Sequence, residues 1–472
     1  MHLTPEEHET RRPWSTLILL SVAQFMVVLD ITVVNVALPS IGLDLGIAGE
    51  DLQWVVTIYV LLTGGLLLLG GRIADVLARR AVFLAGLSLF TAASLLSGLA
   101  ESGAMLIASR AAQGVGAALL TPAALSIVTS YYSGGQRAKA LAAWSAIGSA
   151  GAAVGVVLGG VLTTWLSWEW IFLVNVPIGV GAALLAPRVI PAAPRAVSAR
   201  ALDLPGALLV VAGLVVLVYA IDGAAEHGWG SARTLVLGAL ALALLAAFAR
   251  VEAATRQPLV PPAIWRERSL IGSAAVLLGV TGILVGTFFL NSLYLQHVTG
   301  ATALETGLGF LPLAIAIGIG AHVASALMPR TGSRALVTAG LVLAAVGALV
   351  LAAAPDRAGY LADILPGLLV IGFGVGLVFP GVSVTAMSRV EPHRAGLAAG
   401  VLSTAHEVGA ALGVAVLAAV AAIGAAPTDA GIAAGYEDGF IAAAGIALAL
   451  TALAVVAVPK VRPEAAAQAM AH

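Results

Sequence analysis

The sequence predicts an all-α polytopic membrane protein, and three observations predict it. Of the 472 residues, 60% are hydrophobic and only 10% are charged, against roughly 25% charged in a soluble domain. So few charges cannot cover a globule with solvated side chains. The apolar residues also fall into runs bounded by charge, Gly or Pro, each long enough to cross a bilayer as a helix. Finally, the basic residues between the runs keep a constant bias from the first connection to the last. The chain has no cysteine, which excludes a disulfide framework, a thiolate metal site and a Cys nucleophile. A net charge of −1 gives no reason to expect a nucleic-acid partner. No cleavable signal peptide is expected, because the run after Arg11 and Arg12 is too long for a signal core.

Taken in order, about fourteen spans are expected, at 14–39, 52–71, 81–100, 103–130, 140–165, 170–187, 204–222, 233–249, 270–295, 306–327, 335–354, 360–388, 396–425 and 438–458. If the connections are numbered alternately from a cytoplasmic N-terminus, the inside set holds Arg11, Arg12, Arg72, Arg79, Arg80, Arg137, Lys139, Arg188, Arg195 and Arg200. It continues with Arg250, Arg256, Arg266, Arg268, Arg330, Arg334, Arg389, Arg394, Lys460 and Arg462. The outside set holds only Arg233 and Arg357, and Arg110 lies within a run. A missed or invented helix would reverse the bias partway along. Both termini are therefore expected in the cytoplasm.

The two long polar connections, 188–203 and 250–269, divide the chain into an N-terminal six-helix unit (1–187), linkers with two inserted helices (188–269) and a C-terminal six-helix unit with a short tail (270–472). Pro187, Pro191 and Pro194 end the sixth helix. Short basic turns at corresponding places, Gly71–Arg80 and Pro329–Arg334, read as a trace of duplication. The inserted pair, with few polar residues, reads as structural filler.

Walker A, HExxH and paired Cys/His sets are absent, so no enzyme, metal or organic cofactor is expected. Buried ionisable residues are the informative set, because a charge in the bilayer costs at least ~2.5 kcal/mol unless partnered. Asp30 lies in the first span, Arg110 in the fourth, and Glu407, beside His406, in the thirteenth. At ~1.5 Å per residue Asp30 lies ~13 Å from the outer end of its run and Arg110 ~10 Å from the same face, while Glu407 lies ~17 Å from the inner face. Asp30 and Arg110 can therefore meet. A carboxylate whose distance from an arginine changes can bind and release a proton, while a fixed ion pair would only lock helix register. Glu407 is a second proton site or the acid that meets a cationic substrate. His322, near the inner end of its helix, reads as a cap or a relay. Asp222, Asp363 and Glu305, at helix ends, read as solvated. Asp75 with Arg72, Arg79 and Arg80 reads as a topogenic turn or as a latch between the halves.

Several stretches resemble the 14-helix drug:proton antiporters of the major facilitator superfamily. They are Leu29-Asp30-Ile31-Thr32-Val33-Val34-Asn35-Val36-Ala37-Leu38-Pro39, Leu52-Gln53-Trp54-Val55-Val56-Thr57-Ile58-Tyr59 and Arg110-Ala111-Ala112-Gln113-Gly114. Trp168 to Gly179 and Tyr294 to Gly300 followed by Gly307 and Leu311-Pro312 continue the likeness. It covers nearly the whole chain and implies a major facilitator fold of two six-helix bundles plus two inserted helices. It also implies proton coupling through Asp30, Arg110 and Glu407, and a cytoplasmic gating turn at Gly71, Asp75, Arg79 and Arg80. In that turn Val76 and Ala78 replace the family's usual Arg and Gly. The family's glycine packing motif falls on Gly151, Gly155, Gly159 and Gly160, with Val156 where a proline is usual.

The resemblance implies alternating-access export of small hydrophobic or cationic drugs or antibiotics across the cell membrane. Protons would be the coupling ion and the lipid bilayer the surroundings, and a monomer is expected. Phe25, Trp54, Tyr59, Trp144, Phe288, Asn291, Tyr294 and Phe379 are the candidate cavity residues. Export of one endogenous secondary metabolite, proton-driven import of a small metabolite and, less favoured, an integral membrane enzyme or receptor are the alternatives.

Overall fold

The computed structural model describes residues 13–47, 49–132, 134–190, 203–255, 258–261, 264–355, 359–391, 394–424 and 429–461. Arg11, Arg12, Arg195, Arg200, Arg256, Arg357 and Arg462 of the charge count, and Pro191 and Pro194, lie outside the described residues. Among the described residues there are fourteen long helices: α1 (Pro13–Leu45), α2 (Trp54–Val76), α3 (Arg79–Gly98), α4 (Gly103–Tyr131), α5 (Gly134–Trp165), α6 (Asn175–Val189), α7 (Leu204–His227), α8 (Ala232–Ala254), α9 (Arg268–His297), α10 (Leu311–Thr331), α11 (Ser333–Ala352), α12 (Leu365–Met387), α13 (Ala395–Gly424) and α14 (Asp429–Ala457). Short helical segments Trp170–Leu173 and Ala303–Gly309 lead into α6 and α10. Among the described residues there is no strand.

The packing repeats. In the first half α1 packs on α5, α3 and α2 on α4, and α6 on α3 and α1. In the second half α9 packs on α13, α11 and α10 on α12, and α14 on α11 and α9. Each of these contacts in the first half has its counterpart eight helices later. The two basic turns take the same job in each half. Arg80, second residue of α3, donates to the carbonyls of Pro187 (3.3 Å) and Ile190 (3.1 Å) at the end of α6. Arg334, second residue of α11, donates to the Val458 carbonyl just past α14 at 2.6 Å. A guanidinium at the negative end of a helix satisfies carbonyls that have no partner within that helix.

Tight crossings depend on missing side chains. Any Cβ at Gly155 of α5 would meet Thr32 of α1, and one at Gly159 would come within 2.8 Å of the Val33 carbonyl. In the second half the same crossing is made by glycine on both helices. A Cβ at Gly282 of α9 would stand 2.9 Å from the Gly409 carbonyl, one at Gly286 2.7 Å from that of Gly413, and one at Gly413 would collide with Gly282 itself. Gly151 is close to Val28, with a Cβ there 3.3 Å away, and Gly71 meets only Pro122 at 3.7 Å.

The halves meet along α2 and α13, and between α5 and the segment Ala303–Gly309. Gly160 belongs to this second seam: a Cβ there would lie 2.7 Å from the Ala303 carbonyl, and Val156 turns its own carbonyl toward Gly307. Three hydrogen bonds join the halves at the end where α1, α5 and α9 finish. Ser292 donates to the Asn35 carbonyl (2.8 Å), Gln296 to the Val36 carbonyl (3.0 Å) and the Leu304 N–H to Thr164 (3.2 Å).

Here the first span departs from expectation. The helix does not stop at Pro39 but continues to Leu45 with Pro39 inside it. Proline has no N–H to give the carbonyl four residues back. That carbonyl is Asn35, and Ser292 of the other half supplies the missing donor.

The inserted pair is also tied in. α7 packs on α2 and α13, covering that seam, while α8 touches α7 and is otherwise peripheral. Asp222 of α7, expected to be solvated, accepts hydrogen bonds from the Gln53 amide and, at 2.8 Å, the Trp54 indole. Of the other end-of-helix acids, Glu305 closes a capping box with Thr302, and Asp363 accepts the Gly359 N–H at 2.7 Å.

Two outcomes follow. Ser292→Ala leaves the Asn35 carbonyl without a donor, worth ~1–3 kcal/mol. A Thr164→Cys/Leu304→Cys pair, built into this cysteine-free chain, is therefore expected to cross-link about fivefold less in the Ser292→Ala background; an unchanged yield would refute the clamp. Gly413→Val is expected to cut the yield of folded protein in detergent sharply, while Gly445→Val, where nothing lies within 4 Å, leaves it unchanged.

Candidate functional site

The first half carries charge in its core. Asp30 of α1 and Arg110 of α4 form an ion pair, and both are completely buried. Arg110 is the largest fully buried side chain among the described residues. Its Nη1 donates to Asp30 and, at 3.0 Å, to Gln113 Oε1; its Nε donates to the Val55 carbonyl of α2 at 2.9 Å. The guanidinium lies 4.2 Å over the Tyr59 ring and 5.6 Å from that of Phe172. Aromatic faces stabilise a cation that water cannot reach.

Asp30 is held by more than the arginine. Its Oδ1 accepts from Gln113 Nε2 (3.2 Å) and from Asn175 Nδ2 of α6 (3.0 Å). Gln113 in turn donates to Ser94 of α3 (2.7 Å) and accepts from Ser97 (3.2 Å), whose hydroxyl is 2.8 Å from Ser109. One carboxylate thus gathers donors from α4 and α6, with α3 holding the amide that holds it. An ion pair in low dielectric survives only when its remaining hydrogen-bonding capacity is met. Arg110 Nη2 is the exception, a buried donor with no partner among the described residues.

Sequence depth brought Asp30 and Arg110 together, and the helices bring them into contact. Gln113 lies three residues after Arg110, hence on the same helix face, so it was within reach of the sequence. Asn175 signals itself only as an amide in an apolar run, and Ser94, Ser97 and Ser109 do not signal at all.

The other expected site residues separate into groups. Glu407 lies on α13 in the other half, 17% exposed, with His406 Nδ1 at 3.5 Å. It faces α2, where a Cβ at Gly64 would come within 2.5 Å of its own Cβ. His406 lies 6.3 Å from Phe379. Phe25, Trp144, Phe288 and Phe379 are half-buried. Phe25 joins Trp14, Leu17, Ile18, Ser21, Val22, Ala143 and Ile147 around an apolar crevice of about 400 Å³ between α1 and α5, and Phe288 packs on Phe310 at 4.1 Å.

Four expected cavity residues are packed inside protein instead. Tyr59 lies under Arg110 and against Phe90. Trp54 is committed to Asp222 and Tyr219 of α7. Tyr294 donates to the Pro355 carbonyl at 3.0 Å and packs edge-on to Tyr436. Asn291 is fully buried and donates to the Thr287 carbonyl of its own helix at 2.9 Å. In each case a polar tip found a partner in its own neighbourhood, which residue type alone does not reveal.

Asp75 is exposed and has no ion pair among the described residues, and Arg80 is spent on α6. His322 is exposed.

Removing the amide cage tests this geometry. Asn175→Leu and Gln113→Leu each leave Asp30 short of a donor to a charged group, worth ~1.5–3 kcal/mol. Each is expected to lower the thermal midpoint of the purified protein by several degrees; midpoints unchanged in both would show that the cage does not support the pair.

Comparison with known proteins agrees with this architecture. Residues 20–414 match the Major Facilitator Superfamily. The puromycin resistance protein pur8 of Streptomyces alboniger is 44% identical over 417 residues, covering 87% of this chain and 82% of that protein. The cephamycin export protein CmcT of Amycolatopsis lactamdurans is 41% identical over 457 residues, covering 96% and 93%. Among solved structures, a peptide transporter POT in complex with sulfate aligns with a TM-score of 0.70 at 16% identity, covering 96% of this chain and 98% of that one, a likeness of fold alone. With the family match running from α1 into α13 and such relatives along nearly the full length, this chain belongs to the major facilitator superfamily and is a multi-pass membrane transporter, not an enzyme.

Proposed function

We propose that the chain exports small hydrophobic or cationic compounds of antibiotic type in exchange for protons, by alternating access, from a cell membrane in which both termini face the cytoplasm. The observation that carries this reading is the Asp30–Arg110 pair, wholly buried among four helices of one half. Nothing in a passive scaffold calls for so costly a group. Resistance and export relatives above 40% identity support the class of cargo and the direction.

In this reading the inter-half hydrogen bonds close the outer face. Asp30 is shut off from solvent and bonded by Arg110, Gln113 and Asn175. Protonation of Asp30 discharges the pair and loosens α4 from α1. Release of that proton restores the pair and re-forms the packed half. Glu407, partly exposed on α13, is the acid within reach of a cationic cargo. The cephamycin relative, aligned over nearly its whole length, favours a second reading in which the cargo is a single endogenous product.

Transport in proteoliposomes under an imposed proton gradient separates the roles. Asp30→Asn is expected to abolish gradient-driven accumulation while sparing cargo binding. Glu407→Gln is expected to lower transport of cationic cargo about tenfold or more, the scale of a lost charge pair, and to spare neutral cargo. Proton-driven transport unchanged in both variants would overturn the assignment. Arg110→Lys is expected to fail like Asp30→Asn, because an ammonium cannot reproduce the guanidinium's contacts with Asp30, Gln113 and Val55.

A further inference from the structure

The inserted helices begin and end on acids. Asp203 caps α7, its Oδ1 accepting the Gly206 N–H at 2.9 Å. Glu252 lies in the last turn of α8. Its two oxygens accept the N–H groups of Leu259 (3.2 Å) and Val260 (2.9 Å), in the segment that leads to the second half. Each acid is only 3% exposed.

The carboxyl groups face one another beside Gly206. A Cβ at that glycine would stand 2.6 Å from Asp203 Oδ2 and 3.0 Å from Glu252 Oε1. The two carboxyl groups thus border one point, and Asp203 Oδ2 is buried with no donor among the described residues. Among the described residues no cation compensates them. α7 presents Asp203, segment 258–261 presents only backbone N–H groups, and Arg250 on α8 is exposed. Neither α2 nor α13, the helices packed on α7, adds a charge to the pair among the described residues.

Two ionised carboxylates are acceptors only, so they bond one another only with a proton between them. Out of water, two such charges side by side do not both ionise. The geometry points to a proton-binding site apart from the coupling centre: Asp203 and Glu252 hold one proton in common, and that proton fastens the inter-half connection to the inserted helices. When it leaves to water, two negative charges face each other. Glu252 then turns outward and drops the N–H groups of Leu259 and Val260. The pair lies at the end of the bundle where α1 begins and α14 finishes, opposite the inter-half hydrogen bonds. Under the proposed orientation it reads the pH of the cytoplasm, into which coupled protons arrive.

The absence of cysteine makes the test direct in the full-length protein. Val260→Cys keeps the backbone N–H that Glu252 accepts and places a thiol at a buried position. Its labelling rate, taken relative to an exposed Ala395→Cys control, is expected to rise about tenfold between about pH 6 and about pH 9. With Glu252→Gln, whose amide donates to Asp203 as the shared proton does, it stays low throughout; with Glu252→Ala it is high throughout. Infrared spectra of the purified protein are expected to hold a protonated-carboxyl C=O band that Asp203→Asn and Glu252→Gln each remove. Labelling of Val260→Cys independent of pH, or an infrared band that survives both substitutions, would overturn the proposal. Neither readout depends on cargo transport, so a failure of the export reading leaves this test intact.

Discussion

The buried contact between Asp30 and Arg110 is the constraint around which the first half is built. Two charges removed from water are tolerated only if nearly every polar valence is met. Meeting them recruits Gln113 from the same helix, Asn175 from α6, the Val55 carbonyl from α2 and, through Gln113, two serines of α3. The aromatic rings of Tyr59 and Phe172 close the site over the guanidinium. Five helices are thereby held to one carboxylate. A change in its charge is felt by all of them, because a packed interior has no slack in which to absorb it.

The second half repeats the helix packing without repeating the chemistry. No charged residue lies within α12, the counterpart of α4. Its helices approach through glycine, most closely where α9 crosses α13 at Gly282 and Gly413. Between helices in a bilayer no hydrophobic force favours contact over lipid, so close backbone approach is what holds them together. One half thus holds an ion pair in its core, and the other is joined through glycine. Glu407, two residues before Gly409 and facing α2, brings the second half's acid to the seam between them.

The seams use backbone irregularity. Pro39 frees a carbonyl that only the other half satisfies, and Val156 stands at the second seam, where its carbonyl meets Gly307. The inserted pair is fastened at both ends, by Asp222 to the start of α2 and by Glu252 to the connection between the halves. α7 thus acts as a strap over the α2–α13 seam and not as filler.

Number and order of the helices were legible because bilayer thickness sets their length and loop charge marks their direction. The Asp30–Arg110 contact was legible because helical rise converts position into depth, and few charges compete at that depth. Which aromatic and amide side chains are spent on packing was not. Tyr59, Trp54, Tyr294 and Asn291 look in sequence like residues free to meet a ligand, yet each has a local partner that only the folded neighbourhood supplies. The duty of the basic turns was equally hidden. Their charge predicted the side of the membrane, while only the approach of α3 to α6, and of α11 to α14, directed Arg80 and Arg334 to helix ends. Sequence alone determined which segments must be buried and where the charges fall between them, since transfer from water to lipid acts on each residue separately. Tertiary structure alone decided who partners whom, since a hydrogen bond needs two groups that the chain brings together from afar.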